Sequence, residues 1–577
     1  MKLKTFFRKP RTMLHRQFEA LRAHYIEKKP FSTISKEYGL SESYLRKLRS
    51  CCEEKCKNNE DPFFYEIKKG PKRSHKADNI RSLVIDLRKQ NFSVIDIKAR
   101  LEGTQKKVSL DTINRILKEE GFTRLPRRTF EEKRALSYSS KMESPRSSQL
   151  IIQNEEFSTG VSGGILVFLP LLEQLGIISA IEKANFPETR DISAVSYVLS
   201  FLALKLMGNK RLSHDDNWAL DRVLGLFAGL NVLPKSSSLS SYSFRVSRKS
   251  NRSLLLALSQ IFQEENEGEF NIDFKTIPHW GDASILEKNY VPTRKNSMKS
   301  VLSLIVQNIS SNAQPYISYT DAELKKSEQH DAILEFVDFW KEGHGASPKM
   351  LIFDSKVTIH ENLSKLNEDG IKFITLRQRG QKMQKHAASI LENKWEYTWV
   401  EAAKKKTRNV KLYEEIISLP KYKGEVRQLI IIDHSKEPIF MVTNDFETKA
   451  CDLIRKYGRR WLVEQEISEQ IVFFHLNSLS SSIVVKVDFD LTITVLAHNL
   501  YRKMALGLDG FQHCNVETLH RRFLDGRADI RIVGNELTAT LNRRSHLPIL
   551  FELPCLQEET NIPRLACKIR FKIGTSS

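Results

Sequence analysis

Cysteine is scarce in this sequence. Seven cysteines among 577 residues are too few for a disulfide framework, and no secretory signal is visible. We therefore expect a cytoplasmic protein, because thiols stay reduced in that compartment. Cys51, Cys52 and Cys56 lie close together, but no second Cys or His pair follows them at zinc-ligand spacing, so no zinc site is predicted.

Long apolar runs are also missing. Residues 164–175 form one of the longest apolar stretches, and this stretch has fewer than the roughly 20 residues that a transmembrane helix needs. We predict that it is a buried helix. No membrane span and no membrane partner are expected.

Positive charge is abundant and is concentrated near the N-terminus. The formal net charge is +21. Residues 1–150 carry 36 Lys and Arg against 19 Asp and Glu, a balance of +17, and the remaining 427 residues carry only +4. Such an excess favours a polyanionic partner. We interpret the region as a DNA-binding arm on a nearly neutral body, and a solubilising basic tail is the alternative.

Residues 1–57 predict a helix-turn-helix unit. One helix is predicted over 12–28, and 31–48 follows with a short helix, a turn and a third helix. Gly39 can take the positive φ that the turn needs, and Ser41 can cap the third helix. Helical hairpins that bind no DNA share this pattern. The predicted groove and phosphate contacts on the third helix are Ser43, Arg46, Lys47 and Arg49.

A second three-helix pattern, predicted over 77–130, follows a Lys-rich connection. Its helices are expected at 80–88, 93–101 and 109–119, the last two with a serine as cap. Two tandem units of this kind resemble the bipartite DNA-binding regions of transposases and paired-type regulators. A basic run after the third helix would contact DNA through Arg124, Arg127 and Arg128.

Residues 160–268 are almost wholly helical in pattern and follow a predicted linker at 131–158. Apolar periodicity marks several helices, whereas the serine-rich segment 236–243 is predicted to be a polar loop. The region shows no candidate chemistry. We predict a helical subdomain that packs on the core or on a second protomer.

From residue 269 the pattern changes to alternating strands and helices. Three strands are predicted as an antiparallel meander, followed by a helix, the apolar strand 350–354, a second helix and the strand 372–376. An apolar strand without alternation is buried on both faces. This order is that of the RNase H-like fold, so we predict a multidomain α+β protein with an RNase H-like core.

Four segments divide this part of the chain. Residues 269–384 are predicted as the first part of the core, and 385–445 as a β-rich insertion. Residues 446–510 return to helices and are predicted as the second part of the core. The C-terminal extension, 511–577, has no assignment from its pattern.

One predicted helix carries a distinctive set of side chains. Four of them fall at i, i+3, i+4 and i+7 and therefore share one side of a helix. They are Tyr457, Arg460, Trp461 and Glu464. An arginine can clamp a phosphate, an aromatic ring can stack on a base, and a carboxylate can hold a divalent cation. The set suits phosphodiester chemistry, and an ordinary amphipathic helix with an ion-paired solvent face is the alternative.

Three carboxylates are the candidate catalytic residues and metal ligands: Asp273, Asp354 and Glu464. They would converge at one edge of an RNase H-like sheet and bind two divalent ions there, with Mg²⁺ suited to all-oxygen ligands and Mn²⁺ as a substitute. One ion would activate water or a 3′-hydroxyl, and the other would stabilise the departing oxygen.

Each candidate ligand has an alternative. Asp273 could merely terminate a strand, and Asp282 is a rival first carboxylate. Asp354 could cap the helix that follows it. Glu466 and Glu469 compete for the third position, but neither shares the helix face of the phenol and the guanidinium.

The chain resembles bacterial insertion-sequence transposases of the DDE type. The resemblance covers roughly residues 265–545. It is to the group whose third acidic residue lies in a Tyr-x₂-Arg-x₃-Glu-x₆-Lys signature on a helix, with a β-rich insertion before that helix. Tyr457, Arg460 and Glu464 match the signature. Ile471 occupies the Lys position, so the last DNA contact of the signature would come from another basic residue.

Two upstream segments, 277–282 and 353–356, are also similar to this group. The resemblance implies a transposase that binds terminal inverted repeats, cleaves DNA and joins 3′-hydroxyl ends to target DNA. It also implies a homodimer on DNA, in the bacterial nucleoid. The DNA strand would be held by Tyr457, Arg460, Trp461 and Arg459. A structure-specific RNase H-like nuclease and a domesticated, inactive DNA-binding protein are the alternatives.

Overall fold

A computed structural model describes most of the chain. The described residues are 12–58, 61–63, 75–89, 92, 94–103, 108–122, 147–209, 212, 218–263, 268–279, 286–291, 295–309, 315–327, 329–355, 359–402, 406–433, 437–458, 460, 473–476 and 483–574. The chain divides into two compact units, Met1–Ile80 and Arg81–Ser577.

The first unit contains the three helices that the sequence predicted. They are α1 (Met13–Tyr25), α2 (Phe31–Tyr38) and α3 (Glu42–Lys57). Gly39 ends α2 in the left-handed conformation with φ of 65°, which a residue without Cβ adopts at little cost. The Ser41 hydroxyl caps α3 by accepting a hydrogen bond from the Tyr44 backbone N–H at 3.3 Å. Ile34 and Leu45 lie in the small core between the helices.

The second predicted three-helix pattern is also present. Its helices are α4 (His75–Lys89), α5 (Val94–Gly103) and α6 (Leu110–Glu119). The Ser109 hydroxyl caps α6 by accepting a hydrogen bond from the Thr112 N–H at 3.1 Å. The side chains of Ile113, Ile116 and Leu117 form the buried face of α6.

A helical region follows. It contains a 3₁₀ helix (Gly163–Val167), α7 (Phe168–Gln174), α8 (Ile177–Lys183), α9 (Ala194–Leu206), α10 (Arg222–Ala228), α11 (Ser236–Ser243) and α12 (Arg248–Ile261). The predicted polar loop at 236–243 is wrong, because this segment is α11. Leu239 and Tyr242 lie one turn apart on it and are fully buried, so tertiary burial stabilises a helix that its serines alone would not favour.

No single helix in the described part of the chain is long and apolar enough to cross a membrane. The pair Gly163–Gln174 and Ile177–Lys183 would be long enough together, but it bends by 70°. Phe168 and Leu172 of this pair are buried in the protein, as predicted for residues 164–175.

The main sheet has ten strands among the described residues: β2 (Glu269–Pro278), β3 (Lys288–Val291), β4 (Asn296–Asn308), β5 (Ile317–Leu324), β6 (Met350–Phe353), β7 (Lys372–Leu376), β8 (Glu396–Ala402), β9 (Lys406–Ser418), β10 (Glu425–Ile432) and β11 (Pro438–Thr443). Their order in the sheet is β3-β4-β2-β6-β7-β11-β10-β9-β8, with β5 paired to β4.

The sheet contains the predicted order of elements. β5, β4 and β2 are antiparallel neighbours, whereas β2, β6 and β7 are parallel. Helices α13 (Ala332–His344) and α14 (His360–Glu368) connect β5 to β6 and β6 to β7. Strands β8 to β11, predicted as an insertion, extend the same sheet because β11 pairs antiparallel with β7. Helix α15 (Gln381–Ser389) and a 3₁₀ turn (Glu392–Lys394) precede β8.

Helices pack on both faces of the sheet. Phe270 of β2 contacts Phe336 and Trp340 of α13 on one face. On the other face, Ile352 of β6 shares a core with Leu453, which belongs to a helix over residues 450–458, here α16. The long helix α17 (Val484–Leu506) is buried along most of its length.

The C-terminal extension forms a second sheet, which the sequence left unassigned. Its strands are β1 (Glu155–Thr159), β12 (Ala528–Val533), β13 (Glu536–Leu541), β14 (Thr560–Ile562) and β15 (Cys567–Ile573), in the order β1-β12-β13-β15-β14. Because β1 pairs with β12, the predicted linker at 131–158 overlaps a strand. The connecting turns are α18 (Val516–Leu519), a π turn (His520–Leu524), α19 (Leu547–Leu550), α20 (Pro554–Gln557) and a 3₁₀ turn (Pro563–Leu565).

Candidate active site

Asp273 and Asp354 lie at corresponding points on two neighbouring parallel strands. Ile272 of β2 is opposite Phe353 of β6, and each aspartate is the next residue of its chain segment. Neighbouring strands are separated by about 4.8 Å. The two aspartates therefore occupy neighbouring positions, Asp354 directly after the carboxyl end of β6 and Asp273 in the middle of β2.

Both aspartates belong to the face of the sheet that α16 covers. Side chains alternate between the two faces along a strand. The preceding residues, Ile272 and Phe353, pack into the large core on the opposite face. The side chains at 273 and 354 therefore lie on the α16 face, where Tyr457 packs against the second core.

Arg460 joins this helical segment to the first aspartate. Its guanidinium donates a hydrogen bond to Asp273 Oδ1 at 3.3 Å, and its side chain is 9% exposed. The guanidinium carbon also lies 5.5 Å from the centroid of the Tyr457 ring, as expected for residues three apart on a helix. The structure thus brings Asp273, Tyr457 and Arg460 into contact and places Asp354 at the neighbouring strand position.

Charged groups around the two aspartates partly neutralise one another. Arg460 offsets part of the negative charge that two adjacent carboxylates create. The Asp354 carboxylate accepts a hydrogen bond from the Ser355 backbone N–H at 2.6 Å. One helical turn before the arginine, Lys456 pairs with Glu269 at 2.6 Å. The cluster therefore offers hard oxygen ligands beside a buried guanidinium, a combination that suits a metal ion and a phosphate.

The third predicted ligand, Glu464, lies outside the described residues, as do Trp461 and Arg459 and the rivals Asp282, Glu466 and Glu469. Within the described part, no cluster of three or more His, Cys, Asp or Glu side chains could hold a metal ion. The complete trio of carboxylates stays a prediction.

The predicted DNA contacts of the first unit lie on α3, where Ser43 and Lys47 are exposed. Arg46 pairs with Glu42 at 3.3 Å, and Arg49 pairs with Glu53 at 3.5 Å. The basic run predicted after the second three-helix pattern, Arg124, Arg127 and Arg128, is outside the described residues.

Sequence reasoning missed a polar pair beside Asp273. Asn271 of β2 is opposite Gln307 of β4, and the two residues are 2% and 0% exposed. Within the described residues, Asn271 Oδ1 and both polar atoms of the Gln307 amide have no hydrogen-bond partner. A buried amide in an otherwise apolar strand is the signal that could have identified them, since such a group is costly without a partner.

No family model matches the chain, and no curated protein matches it in sequence. Among solved structures, the chain is similar to piggyBac transposase, determined by cryo-EM as a synaptic complex with hairpin DNA. The two are 12% identical over 64% of this chain and 82% of that one, with a TM-score of 0.35.

Proposed function

We propose that this protein is a DNA transposase of the DDE type. It binds the terminal inverted repeats of its element, cleaves phosphodiester bonds and transfers 3′-hydroxyl ends into target DNA. The observation that carries the proposal is the placement of Asp273 and Asp354 side by side on parallel strands, under the helical segment that supplies Arg460.

The strand arrangement supports an RNase H-like core. The order β5-β4-β2-β6-β7, with three antiparallel strands followed by two parallel ones, matches the order of elements inferred from the sequence. Parallel strands end at a common edge, where side chains from separate strands can converge. Here Asp354 follows the end of β6, and Asp273 lies beside that point in β2.

The carboxylates of Asp273, Asp354 and Glu464 would hold two Mg²⁺ ions. When bound, these ions lower the barrier for attack of water or a 3′-hydroxyl on phosphorus and for departure of the leaving oxygen. Arg460 would bind a phosphate near the scissile bond, because a guanidinium can form two parallel hydrogen bonds with it. Tyr457 and Trp461 would hold the DNA strand by stacking.

The N-terminal region would bind the element ends, and two copies of the protein would act together on two ends. The +17 charge balance of residues 1–150 and the capped third helices α3 and α6 support duplex DNA as the partner. The helical region 160–268 is our candidate for contacts between protomers.

The test is a gel assay of end cleavage and end binding with wild-type protein, Glu464→Gln and Asp354→Asn, in Mg²⁺ or Mn²⁺. Each substitution keeps shape but removes a charge that offsets a cation, so cleavage should fall by orders of magnitude while binding changes little. Glu466→Gln is the matched control and should cleave normally.

The other outcomes separate the alternatives. Full cleavage by either carboxylate variant would refute the assignment of ligands. Cleavage of DNA junctions without inverted repeats would favour a structure-specific nuclease. Specific end binding by a wild-type protein that cuts no DNA would favour a domesticated DNA-binding protein.

A further inference from the structure

A buried carboxylate joins the second three-helix pattern to the rest of its compact unit. Glu120 follows α6 and is fully buried. Its carboxylate accepts a hydrogen bond from Arg81 of α4 at 2.6 Å and another from Arg248 of α12 at 2.7 Å. Its backbone oxygen accepts a hydrogen bond from the Val484 N–H, at the start of α17, at 3.0 Å. One residue therefore connects α4, α6, α12 and α17.

Two neighbouring contacts reinforce this attachment. Glu119 pairs with Lys325, the residue after β5, at 3.1 Å. Lys89, at the end of α4, donates a hydrogen bond to the Val246 backbone oxygen at 2.5 Å. A buried ion pair is geometrically demanding, and removal of one member leaves an uncompensated charge. The attachment is therefore specific in position.

A continuous path leads from this attachment to the candidate active site. Asn499 of α17 forms two hydrogen bonds with the backbone of Ile317 in β5, at 2.9 and 3.0 Å. β5 pairs with β4, and β4 pairs with β2, the strand that carries Asp273. The position of α6 is thus fixed relative to Asp273 through backbone pairing and buried hydrogen bonds.

The opposite face of α6 is available to a partner. Its outward residues are one acidic, one amide and two basic side chains, all exposed, and they lie at i, i+3, i+4 and i+7 of one helical stripe. They are Asp111, Asn114, Arg115 and Lys118. Arginine, lysine and asparagine side chains suit contacts with phosphates and base edges in a DNA major groove.

We propose that Glu120 is a positioning residue: it clamps α6 so that duplex DNA bound on the Asn114, Arg115 and Lys118 face reaches Asp273 and Asp354 in a fixed register. This inference rests on the proposed function. DNA recognition and strand cleavage are then coupled through a rigid attachment, and the site of cleavage is set by the distance from α6.

The test compares full-length wild type, Glu120→Gln and Glu342→Gln. Glu342 is the matched control because it pairs with Arg252, one turn after Arg248 on α12, but its side chain is 56% exposed. Hydrogen exchange without DNA should show residues 110–122 opening about tenfold faster in Glu120→Gln only, since local opening reports lost tertiary contacts. Exchange in β2 and β6 should not change.

The second readout is the rate and nucleotide position of cleavage on end-containing duplex. Glu120→Gln should keep end binding but cleave about a hundredfold more slowly or at scattered positions, because a misplacement of about 1 Å can cost that much. Glu342→Gln should behave as wild type. If Glu120→Gln does not fold, Arg248→Lys, which keeps the charge but loses the guanidinium fork, should show the same two changes to a smaller degree.

Results that contradict the clamp differ from results that contradict the proposed function. Release of 110–122 with cleavage at the normal position and rate would overturn the clamp, and so would faster cleavage, which would mean that the attachment inhibits. Wild-type protein that cuts no DNA under any condition would instead overturn the proposed function.

Discussion

At the scale of single residues, the Asp273–Arg460 ion pair differs from a surface ion pair in its burial. The guanidinium is 9% exposed and the carboxylate 19%, so the pair is largely withdrawn from water. It lies beside a second carboxylate, Asp354. Under the proposed function, a divalent cation would compensate the same negative charge as the guanidinium, so loss of one should make the other more important.

We expect Arg460→Ala to lower the melting temperature in the presence of a chelator and to increase the stabilisation that Mg²⁺ gives, because the two aspartates then repel each other without compensation. Thermal melts with and without Mg²⁺ measure this. Lys456→Ala is the control, because Lys456 lies one helical turn before Arg460 and its removal breaks the ion pair with Glu269 of β2. This variant should keep the wild-type Mg²⁺ effect. Equal Mg²⁺ effects in both variants would contradict a metal site at Asp273.

A second residue prediction concerns Asp488 of α17. It is 9% exposed, and burial together with nearby Asp321 raises the pKa of its carboxyl to about 6, against a weaker opposing effect of Arg248 and a hydrogen bond from Asn251. The unfolded chain, with a pKa near 3.8, loses this proton first as the pH rises. Ionisation of Asp488 therefore lowers the stability of the folded state progressively between about pH 4 and pH 6.

Asp488→Asn removes that ionisation. The free energy of unfolding of the variant relative to wild type should therefore rise by about 2 kcal/mol from pH 4.5 to pH 7. Melting curves at the two pH values test this. Asp369→Asn, at an exposed carboxylate paired with Lys341, should show no such change. A difference between Asp488→Asn and wild type that does not vary with pH would count against the raised pKa.

At the scale of elements, the third helix of the first unit depends on its N-cap. Replacing an N-cap serine by alanine costs about 1 kcal/mol. Ser41→Ala should therefore destabilise α3 by this amount and speed the hydrogen exchange of the Tyr44 amide, which donates to the Ser41 hydroxyl. Ser43→Ala is the matched control: Ser43 is exposed inside the same helix, where alanine is favoured. Equal loss of stability in both variants would argue against the cap.

At the scale of the whole molecule, the uneven charge predicts how DNA binding responds to salt. Residues 1–80 carry 20 Lys and Arg against 10 Asp and Glu. Each phosphate neutralised by a basic side chain contributes about −0.9 to the slope of log affinity against log salt. Residues 81–577 alone should therefore give a shallower slope than the full chain. Glu464→Gln, in the full chain, should keep the wild-type slope.

Titration of both proteins with end-containing duplex at several salt concentrations gives the two slopes. An identical slope for the full chain and for 81–577 would mean that the first unit makes no phosphate contacts. Affinity indifferent to salt in both would exclude duplex DNA as the partner of the basic region.

Local patterns were enough to predict much of the fold and part of the site. Gly39 and Ser41 act at short range, so the turn and the cap in the first unit followed from residue type. The apolar strand 350–353 and the alternation in β2 predicted the strands that carry Asp354 and Asp273. The i, i+3 spacing predicted that Tyr457 and Arg460 share a helix face, and their 5.5 Å contact agrees.

The sequence by itself thus determined elements whose signals lie within a few residues, because capping, turn conformation and side-chain periodicity are local properties. Only the tertiary structure decided the rest. The helix at Ser236–Ser243 exists because Leu239 and Tyr242 are buried, and the pairings of β1 with β12 and of Glu120 with Arg248 join residues more than 100 positions apart. Such contacts depend on which surfaces exclude water together, and no local pattern encodes that choice.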